Sequence, residues 1–295
     1  METRRLGKTE LAVSTVGLGT WQFSGVWGKQ FEQAEVNALL ARAGELGINF
    51  LDTAECYGPD HLSERLIGEA IAGHRQDWII ATKFGHNTAN RLGDENFKPE
   101  QVLQQLEASL RALQTDYIDL YQLHSAEDVW FEQDDLWTML DKQVQAGKVR
   151  FLGNSLAWPN ATAQLARSAE FGVSVIQTLY NAVRRVAGDT QLPVAESQDL
   201  GVIARVPLAS GLLSGRYRPG HEFGHGDIRC MRPQKGIDRD IRQAQQFLAS
   251  KPAGIPAASW ACAWCLQNPI VGTVIPGVKS LAQLEENAAA GSMSL

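Results

Sequence analysis

Four polar side chains stand where three apolar, β-prone segments end: Asp52, Tyr57, Lys83 and His124. The segments are INFLDTAECYG (48–58), WIIATKFG (78–85) and YIDLYQLH (117–124). A tyrosine phenol has an ordinary pKa of about 10, and a neighbouring ammonium lowers it by stabilising the phenolate. Lys83 would supply that ammonium, Asp52 would keep it charged and oriented, and His124 would share a substrate oxygen with the phenol. The set predicts a site that gives a proton to a carbonyl oxygen.

Such a site needs a hydride from elsewhere, because no side chain supplies one. A nicotinamide or flavin cofactor is therefore implied. Each residue also has a structural alternative when it is taken singly: Asp52 as a cap, Tyr57 as a packed ring, and Lys83 as a solvated strand end. All four residues at strand ends on one predicted face are much harder to explain by chance than any one of them, and on spacing alone the chemical and the structural interpretations both stay open.

The elements that must position these residues alternate between strand and helix. Compact apolar runs predict parallel strands buried on both faces, at 13–18, 48–52, 78–83, 117–123, 149–153, 174–179, 201–206 and 272–275. Helical periodicity appears at 33–46, 62–73, 98–113, 135–146, 160–170, 192–199, 256–267 and 281–290. Eight strand–helix units favour an α/β fold of the closed (β/α)8 TIM barrel type. We expect a short hairpin (3–6 with 11–13) before the barrel, and one domain over 1–295.

Length and charge restrict the partners. The 295 residues carry a formal net charge of −6, whereas nucleic-acid binding usually needs a basic stripe. The N-terminus has no apolar signal core, and no apolar run reaches the ~18 residues of a membrane span. We therefore expect a cytoplasmic protein with reduced cysteines and with neither nucleic acid nor a membrane as partner.

Several motifs are similar to the signatures of the aldo-keto reductase superfamily. They are the three segments above, LGKTELAVSTVGLGTW (6–21) and IPGVKSLAQLEENAAA (275–290). The resemblance covers nearly the whole chain in the right order. It implies a barrel, NADPH (NADP+) as hydride donor, a small-molecule carbonyl substrate, and Asp52, Tyr57, Lys83 and His124 as the catalytic tetrad. Tyr57 is the implied proton donor, and the expected substrate contacts are Trp21, Tyr57, Phe84 and His124.

A nucleotide cannot be held here by a Rossmann fingerprint. Gly17 and Gly19 begin a GxG pattern, but Gln22 takes the place of the third glycine. The residues of segment 275–280 are themselves suited to binding an anion. Gly277 permits close approach of the backbone, and Lys279 offers a cation. Ser280 precedes a predicted helix, and a helix N-terminus attracts anions. This combination suits a 2′-phosphate and favours NADPH over NADH.

Other cofactor contacts are implied by the resemblance alone. Ser155 and Gln177 would hold the nicotinamide carboxamide, and Arg205 occupies the position of a stacking side chain, which an arginine plane can fill. The remaining implied contacts are Gly19, Thr20, Trp21, Asp52, Val206, Pro207, Leu208, Ala209, Gly211, Arg216, Pro276, Gly277, Val278, Lys279, Ser280, Gln283, Glu286 and Asn287.

The chain also departs from the family pattern. Gln283 replaces an arginine common in NADPH-preferring members, and Leu156 replaces an asparagine that often follows the serine. Few residues follow Asn287, so we expect an open pocket or one completed by a neighbouring subunit of a homo-oligomer. The long segment 208–237 is expected to be functional or mobile.

Three motifs suggest other functions and are discounted. His221–His225 match HExxH, but the surrounding glycines and proline disfavour the helix that a zinc protease needs, and we expect no metal. Cys262 and Cys265 form a CxxC without a second pair, so they are predicted to be buried apolar residues. The glycosylation sequon at Asn160 is a chance match when no signal peptide is present.

A different class of function stays open. Some relatives of this barrel are nucleotide-binding regulatory subunits of ion channels with little turnover, and such relatives can retain the tetrad. The absence of an additional N-terminal segment leads us to expect a free-standing enzyme instead.

Overall fold

Eight parallel strands form a single sheet whose spatial order follows the chain. In the computed structural model, which describes residues 1–86, 93–157 and 161–293, the strands are β3 Leu18–Gly19, β4 Phe50–Asp52, β5 Ile79–Phe84, β6 Ile118–His124, β7 Val149–Ser155, β8 Val173–Leu179, β9 Gly201–Arg205 and β10 Val271–Ile275. Parallel bridges from Val16 to Val274 and from Gly19 to Gly277 join the first strand to the last. The sheet therefore closes on itself, which confirms the predicted barrel.

Helices cover the outside of this sheet. They are α1 Gln33–Glu45, α2 Leu62–Ala70, α3 Pro99–Ala112, α4 Asp128–Phe131, α5 Asp134–Gln145, α6 Thr162–Ala166, α7 Val186–Thr190, α8 Leu192–Ser197, α9 Gln234–Leu248, α10 Ala257–Leu266 and α11 Leu281–Ala288. Within the described ranges, none of the helices combines the length and apolarity that crossing a membrane requires.

The strand predicted at 13–18 is wrong, because this apolar run serves two elements. Its first part belongs to an antiparallel hairpin of β1, Thr3–Arg5, and β2, Ala12–Ser14. The barrel strand itself is only β3. Leu6 and Val13 of the hairpin region are buried in the same cluster as the barrel-interior residue Phe50. The hairpin is therefore part of the barrel core.

Helix α9 was not predicted, and its first turn overlaps the segment 208–237. Ile237, Ile241 and Ala244 form its buried face, so the helical spacing is present in the sequence. Asp240 is buried on the same helix, where its carboxylate accepts two hydrogen bonds of 2.8 Å from Arg184. The helix predicted at 160–170 is shorter: α6 is followed by a 3-10 turn at Ser168–Phe171. Asn160 lies outside the described residues.

Contact between α2 and α3 leaves room for hydrogen alone at Gly68. A Cβ atom there would lie 2.5 Å from the carbonyl oxygen of Ala112 and 2.7 Å from the carbonyl carbon of Leu113. We expect Gly68→Ala to lower the free energy of unfolding by about 1–3 kcal/mol through overpacking. The exposed Gly44 of α1, where a Cβ would meet only Trp78 at 3.8 Å, is the control, and Gly44→Ala should gain up to about 1 kcal/mol from helix propensity. Denaturant unfolding of both variants provides the comparison, and equal stability changes would contradict this account.

Candidate active site

A chain of hydrogen bonds links the ends of β4 and β5. The Lys83 ammonium donates to Asp52 Oδ2 at 2.8 Å, to the Thr53 carbonyl at 2.8 Å and to the Tyr57 hydroxyl at 3.3 Å. Lys83 is fully buried and Asp52 is 2% exposed. Because a buried ammonium is stable only when paired and hydrogen-bonded, these three acceptors fix its position. The phenol thus rests against a buried cation.

Asp52 is held from its other side as well. Its Oδ1 accepts a hydrogen bond of 2.6 Å from Gln177 Nε2 and a longer one of 3.4 Å from Gln122 Nε2. Gln122 was missed as a site residue, although it lies two positions before His124 and so points to the same side of β6. Together with Lys83, these donors supply both carboxylate oxygens with hydrogen bonds inside the barrel.

The expected lowering of the Tyr57 pKa is wrong for this structure. Burial raises the pKa of Tyr57 to about 12, and this effect exceeds the opposing influence of the Lys83 charge. Burial alone would lower the pKa of Lys83, but Asp52 and Tyr57 raise it above its ordinary value. At neutral pH the phenol is therefore protonated and the ammonium is charged, as a proton donor beside a stabilising cation requires.

Aromatic rings surround the phenol. The Tyr57 ring stacks on Trp21 with a centroid distance of 5.9 Å and meets the edge of His124 at 6.1 Å. All three side chains line a cavity of about 400 Å³ at the carboxyl ends of the strands. The hydroxyl of Tyr57 and the imidazole of His124 thus face a common space in which a small molecule fits.

Most of the predicted site residues line this cavity. Besides Asp52, Tyr57 and His124 they are Gly19, Thr20, Trp21, Ser155, Gln177, Arg205, Val206, Pro207, Leu208, Gly211, Arg216, Pro276, Gly277, Lys279, Gln283, Glu286 and Asn287. Lys83 is fully buried and does not line the cavity, but it contacts the lining residues Asp52 and Tyr57. Two further lining residues, Trp27 and Cys56, were not singled out from the sequence as site residues. His86 also lines the cavity, as do Tyr217 and Arg229 from the segment 208–237, which was expected to be functional or mobile.

A few predicted contacts lie elsewhere. Phe84 is fully buried and packs on Tyr121 at a centroid distance of 4.7 Å, so it is not a substrate wall. The reason is strand alternation: Lys83 points into the barrel, and its neighbour must point outward to the helices. The cavity lining also lacks three of the predicted cofactor contacts, Ala209, Val278 and Ser280.

The segment 275–287 forms one end of the cavity. Ser280 caps α11, since its hydroxyl accepts a 3.3 Å hydrogen bond from Gln283 N. The Lys279 ammonium donates to the Trp27 carbonyl and lies 3.8 Å from the Asp227 carboxylate. At Gly277, a Cβ atom would lie 1.8 Å from the Gln22 side chain. A cation and a helix N-terminus therefore stand side by side here, an arrangement suited to a phosphate group.

A segment that we name the strap, residues 206–233, connects β9 to α9 across this end of the cavity. Arg229 links distant parts of the strap to one another. Its guanidinium pairs with Asp227 at 2.6 Å, and it donates hydrogen bonds to the Ser210 carbonyl at 3.0 Å and to the Tyr217 hydroxyl at 3.1 Å. Burial opposes ionisation of Asp227, but the hydrogen bonds from Arg229 hold the pKa of Asp227 below its ordinary value. The HExxH stretch, residues 221–225, belongs to the strap and has no helical backbone.

Comparison with known proteins agrees with this geometry. The profile of the aldo/keto reductase family matches residues 15–295. An uncharacterized oxidoreductase of Bacillus subtilis, YrpG, is 32% identical over 100% of this chain and 92% of its own. The aldo-keto reductase AKR11C1 from Bacillus halodurans (holo form) superposes with a TM-score of 0.81 at 29% identity, covering 100% of this chain and 92% of its own.

A second solved structure is also similar over its length. The aldo/keto reductase from Klebsiella pneumoniae, crystallised in complex with NADP and acetate, gives a TM-score of 0.75 at 28% identity over 100% of this chain and 91% of its own. The present chain therefore belongs to the aldo/keto reductase family and is an NAD(P)H-dependent oxidoreductase.

Proposed function

We propose that this protein reduces an aldehyde, ketone or sugar carbonyl to the alcohol with NADPH, and that Tyr57 donates the proton. The observation that carries the proposal is the hydrogen-bonded series Asp52–Lys83–Tyr57, which ends in a phenol facing a cavity of about 400 Å³. A phenol beside a buried, charged ammonium can release its proton at lower cost than a phenol buried alone.

Two unsatisfied donors support a polar occupant of the cavity. Among the described residues, Arg205 Nε and Asn287 Nδ2 are buried without a hydrogen-bond partner, and both residues line the cavity. Buried donors are rarely left unpaired, because the desolvation cost is about 1–3 kcal/mol each. A bound dinucleotide with amide, hydroxyl and phosphate oxygens would supply the missing acceptors, so the residues present fit the cofactor.

The contacts within the site suggest how the cofactor would be held. Gln177 uses its Nε2 to bind Asp52, which leaves its Oε1 oxygen and the Ser155 hydroxyl for a carboxamide. Ser155 and Gln177 are 3.4 Å apart through these atoms. Lys279 and the N-terminus of α11 would bind the 2′-phosphate. When bound, the reduced nicotinamide supplies the hydride.

Side chains of the protein would then bind the carbonyl oxygen and give it a proton. The Tyr57 hydroxyl and His124 would hold it from two sides, so the developing negative charge meets a proton donor. As the proton leaves Tyr57, the phenolate is stabilised by Lys83 at 3.3 Å, and Asp52 keeps Lys83 charged. Because this relay is preorganised inside the barrel, little reorganisation is needed during the reaction.

Turnover is the direct test of the proposal. Purified protein should consume NADPH absorbance with members of a panel of aromatic, aliphatic and sugar aldehydes, and the alcohol should form in equal amount. The alternative, a nucleotide-binding regulatory subunit with little turnover, is not favoured by the oxidoreductase relatives. Tight NADPH binding without consumption across the whole panel would favour it instead. Homo-oligomerisation and a cytoplasmic location stay predictions from the sequence.

Cofactor choice should depend on Lys279. We expect Lys279→Met to weaken NADPH binding by roughly 10- to 100-fold, because a charge-assisted contact contributes about 1.5–3 kcal/mol, and to leave NADH binding nearly unchanged. Protein fluorescence titration with both cofactors measures this. Lys251→Met removes the same charge from the loop after α9 and should alter neither affinity. Equal losses for NADPH and NADH in the Lys279 variant would refute the 2′-phosphate assignment.

A further inference from the structure

Three side chains near successive strand ends bring one thiol and two imidazoles together. Cys56 follows β4, His86 follows β5 and His124 ends β6. Cys56 Sγ lies 3.8 Å from His124 Nδ1, and one ligand atom from each of the three residues lies within 4.8 Å of the others. In the part of the chain that the structure describes, no further trio of histidine, cysteine or carboxylate side chains gathers in this way.

We propose that Cys56, His86 and His124 form a binding site for a thiophilic divalent cation of the Zn²⁺ type, and that its occupation inhibits the enzyme. The binding itself does not depend on the proposed carbonyl reduction; only the inhibition does.

The spacing suits tetrahedral coordination. Zinc binds cysteine sulfur at about 2.3 Å and histidine nitrogen at about 2.0–2.1 Å, which places sulfur and nitrogen about 3.6 Å apart in a tetrahedral site. The 3.8 Å between Cys56 and His124 is close to this value. The imidazoles of His86 and His124 stack with centroids 4.2 Å apart and planes 14° apart. One ring must therefore turn for both nitrogens to reach one ion, and the partial exposure of all three side chains gives it room.

The backbone around the ligands is held in place. The amide of His86 donates to Glu55 Oε1 at 3.1 Å, so the loop after β5 is tied to the residue that precedes Cys56. Glu55 is itself buried. This link restrains the backbone at Cys56 and at His86 before any ion arrives, so only side-chain rotation is left for binding to order.

The ligand set determines the class of ion. One thiolate and two imidazoles favour Zn²⁺, Cd²⁺ or Co²⁺, whereas Mg²⁺ and Ca²⁺ require oxygen ligands. The thiol proton of Cys56 passes to solvent as the sulfur–metal bond forms. All three residues line the cavity, so the ion can enter from solvent, and its fourth position faces the cavity for a water molecule.

Inhibition follows from the use of His124. An ion bound to His124 would fix the imidazole in the orientation that coordination requires, and it would place a positive charge and a bound water in the space of the substrate. A soft cation would therefore compete with the carbonyl compound for the same end of the cavity.

Cobalt absorption tests the site directly. Titration of the wild-type protein with Co²⁺ should produce the near-ultraviolet band of sulfur-to-cobalt charge transfer together with the visible bands of tetrahedral cobalt, at one ion per chain. Cys56→Ser should abolish the near-ultraviolet band, and His86→Gln should weaken Co²⁺ binding at least tenfold. Cys230→Ser, at an exposed cysteine of the strap, and His221→Ala, in the HExxH stretch, should leave the spectrum unchanged.

A wild-type protein without the charge-transfer band, or a band that survives Cys56→Ser, would overturn the site. Cys56→Ala provides a second variant should the serine protein fold poorly, and circular dichroism identifies that case. In the aldehyde assay, Zn²⁺ should inhibit the wild type, and Cys56→Ser should need at least tenfold more Zn²⁺ for half inhibition. An unchanged inhibitory concentration would overturn the inhibition. If the wild type shows no turnover, the proposed function fails, and the cobalt spectra still decide the metal site.

Discussion

Tyr57→Phe is expected to lower the rate of carbonyl reduction by about 100- to 10,000-fold, the usual contribution of general acid catalysis. The substitution removes only the hydroxyl that receives a hydrogen bond from Lys83. The phenyl ring can still stack on Trp21, and Lys83 keeps its bonds to Asp52 and Thr53. Folding and NADPH binding should therefore survive, so the loss should be confined to kcat and kcat/KM.

Tyr121→Phe is the matched control for this experiment. Tyr121 is fully buried, and within the described residues its hydroxyl has no hydrogen-bond partner. Its removal should leave turnover unchanged, and stability should stay equal or rise because an unsatisfied polar group is lost. Steady-state kinetics and an NADPH titration on both variants give the answer. Near-normal turnover of Tyr57→Phe with a good aldehyde would show that the proton donor is another group.

Lys83→Met should reduce both turnover and stability. The variant leaves the Asp52 carboxylate buried without its counter-charge, and breaking a buried ion pair from one side costs about 3–5 kcal/mol. Gln177 and Gln122 still donate to this carboxylate, which places the expected loss at the lower end of that range. Turnover should fall on the same scale as for Tyr57→Phe, because the phenolate loses its stabilising cation.

The double variant Lys83→Met with Asp52→Asn separates the two effects. Removal of the orphaned charge should restore more than half of the lost free energy of unfolding, measured by denaturant titration. Turnover should stay as low as in the single variant, because the ammonium is still missing. Recovery of turnover together with stability would mean that Lys83 has only a structural role.

The positions of the tetrad residues could be predicted because parallel strands fix them. When three successive strands each end in a polar residue, a barrel brings those ends to one face. The prediction that Phe84 contacts the substrate is wrong because one step along a strand reverses the direction of the side chain. The predicted positions of the strand-end residues therefore agree with the structure. The prediction for Phe84, which ignored the alternation of side chains along a strand, does not.

Other features depend on long-range contacts that local pattern does not encode. Helix α9 has a regular apolar spacing, but charged and amide side chains dominate it, and its buried Asp240 finds Arg184 far away in sequence. The pKa of Tyr57 reflects the balance between burial and one charge, which requires the packed structure. The grouping of Cys56 with His86 and His124 likewise exists only once the loops after β4 and β5 are side by side.

Closure between β3 and β10 also has a consequence during synthesis. Arg4 donates to the Val271 carbonyl across 267 positions of sequence, and β3 contributes only two residues to the sheet. The segment that includes β10 must therefore leave the ribosome before the barrel can close, since such distant contacts form late. Until then the edge of β3 and the apolar interior are exposed, which is the condition under which folding intermediates aggregate.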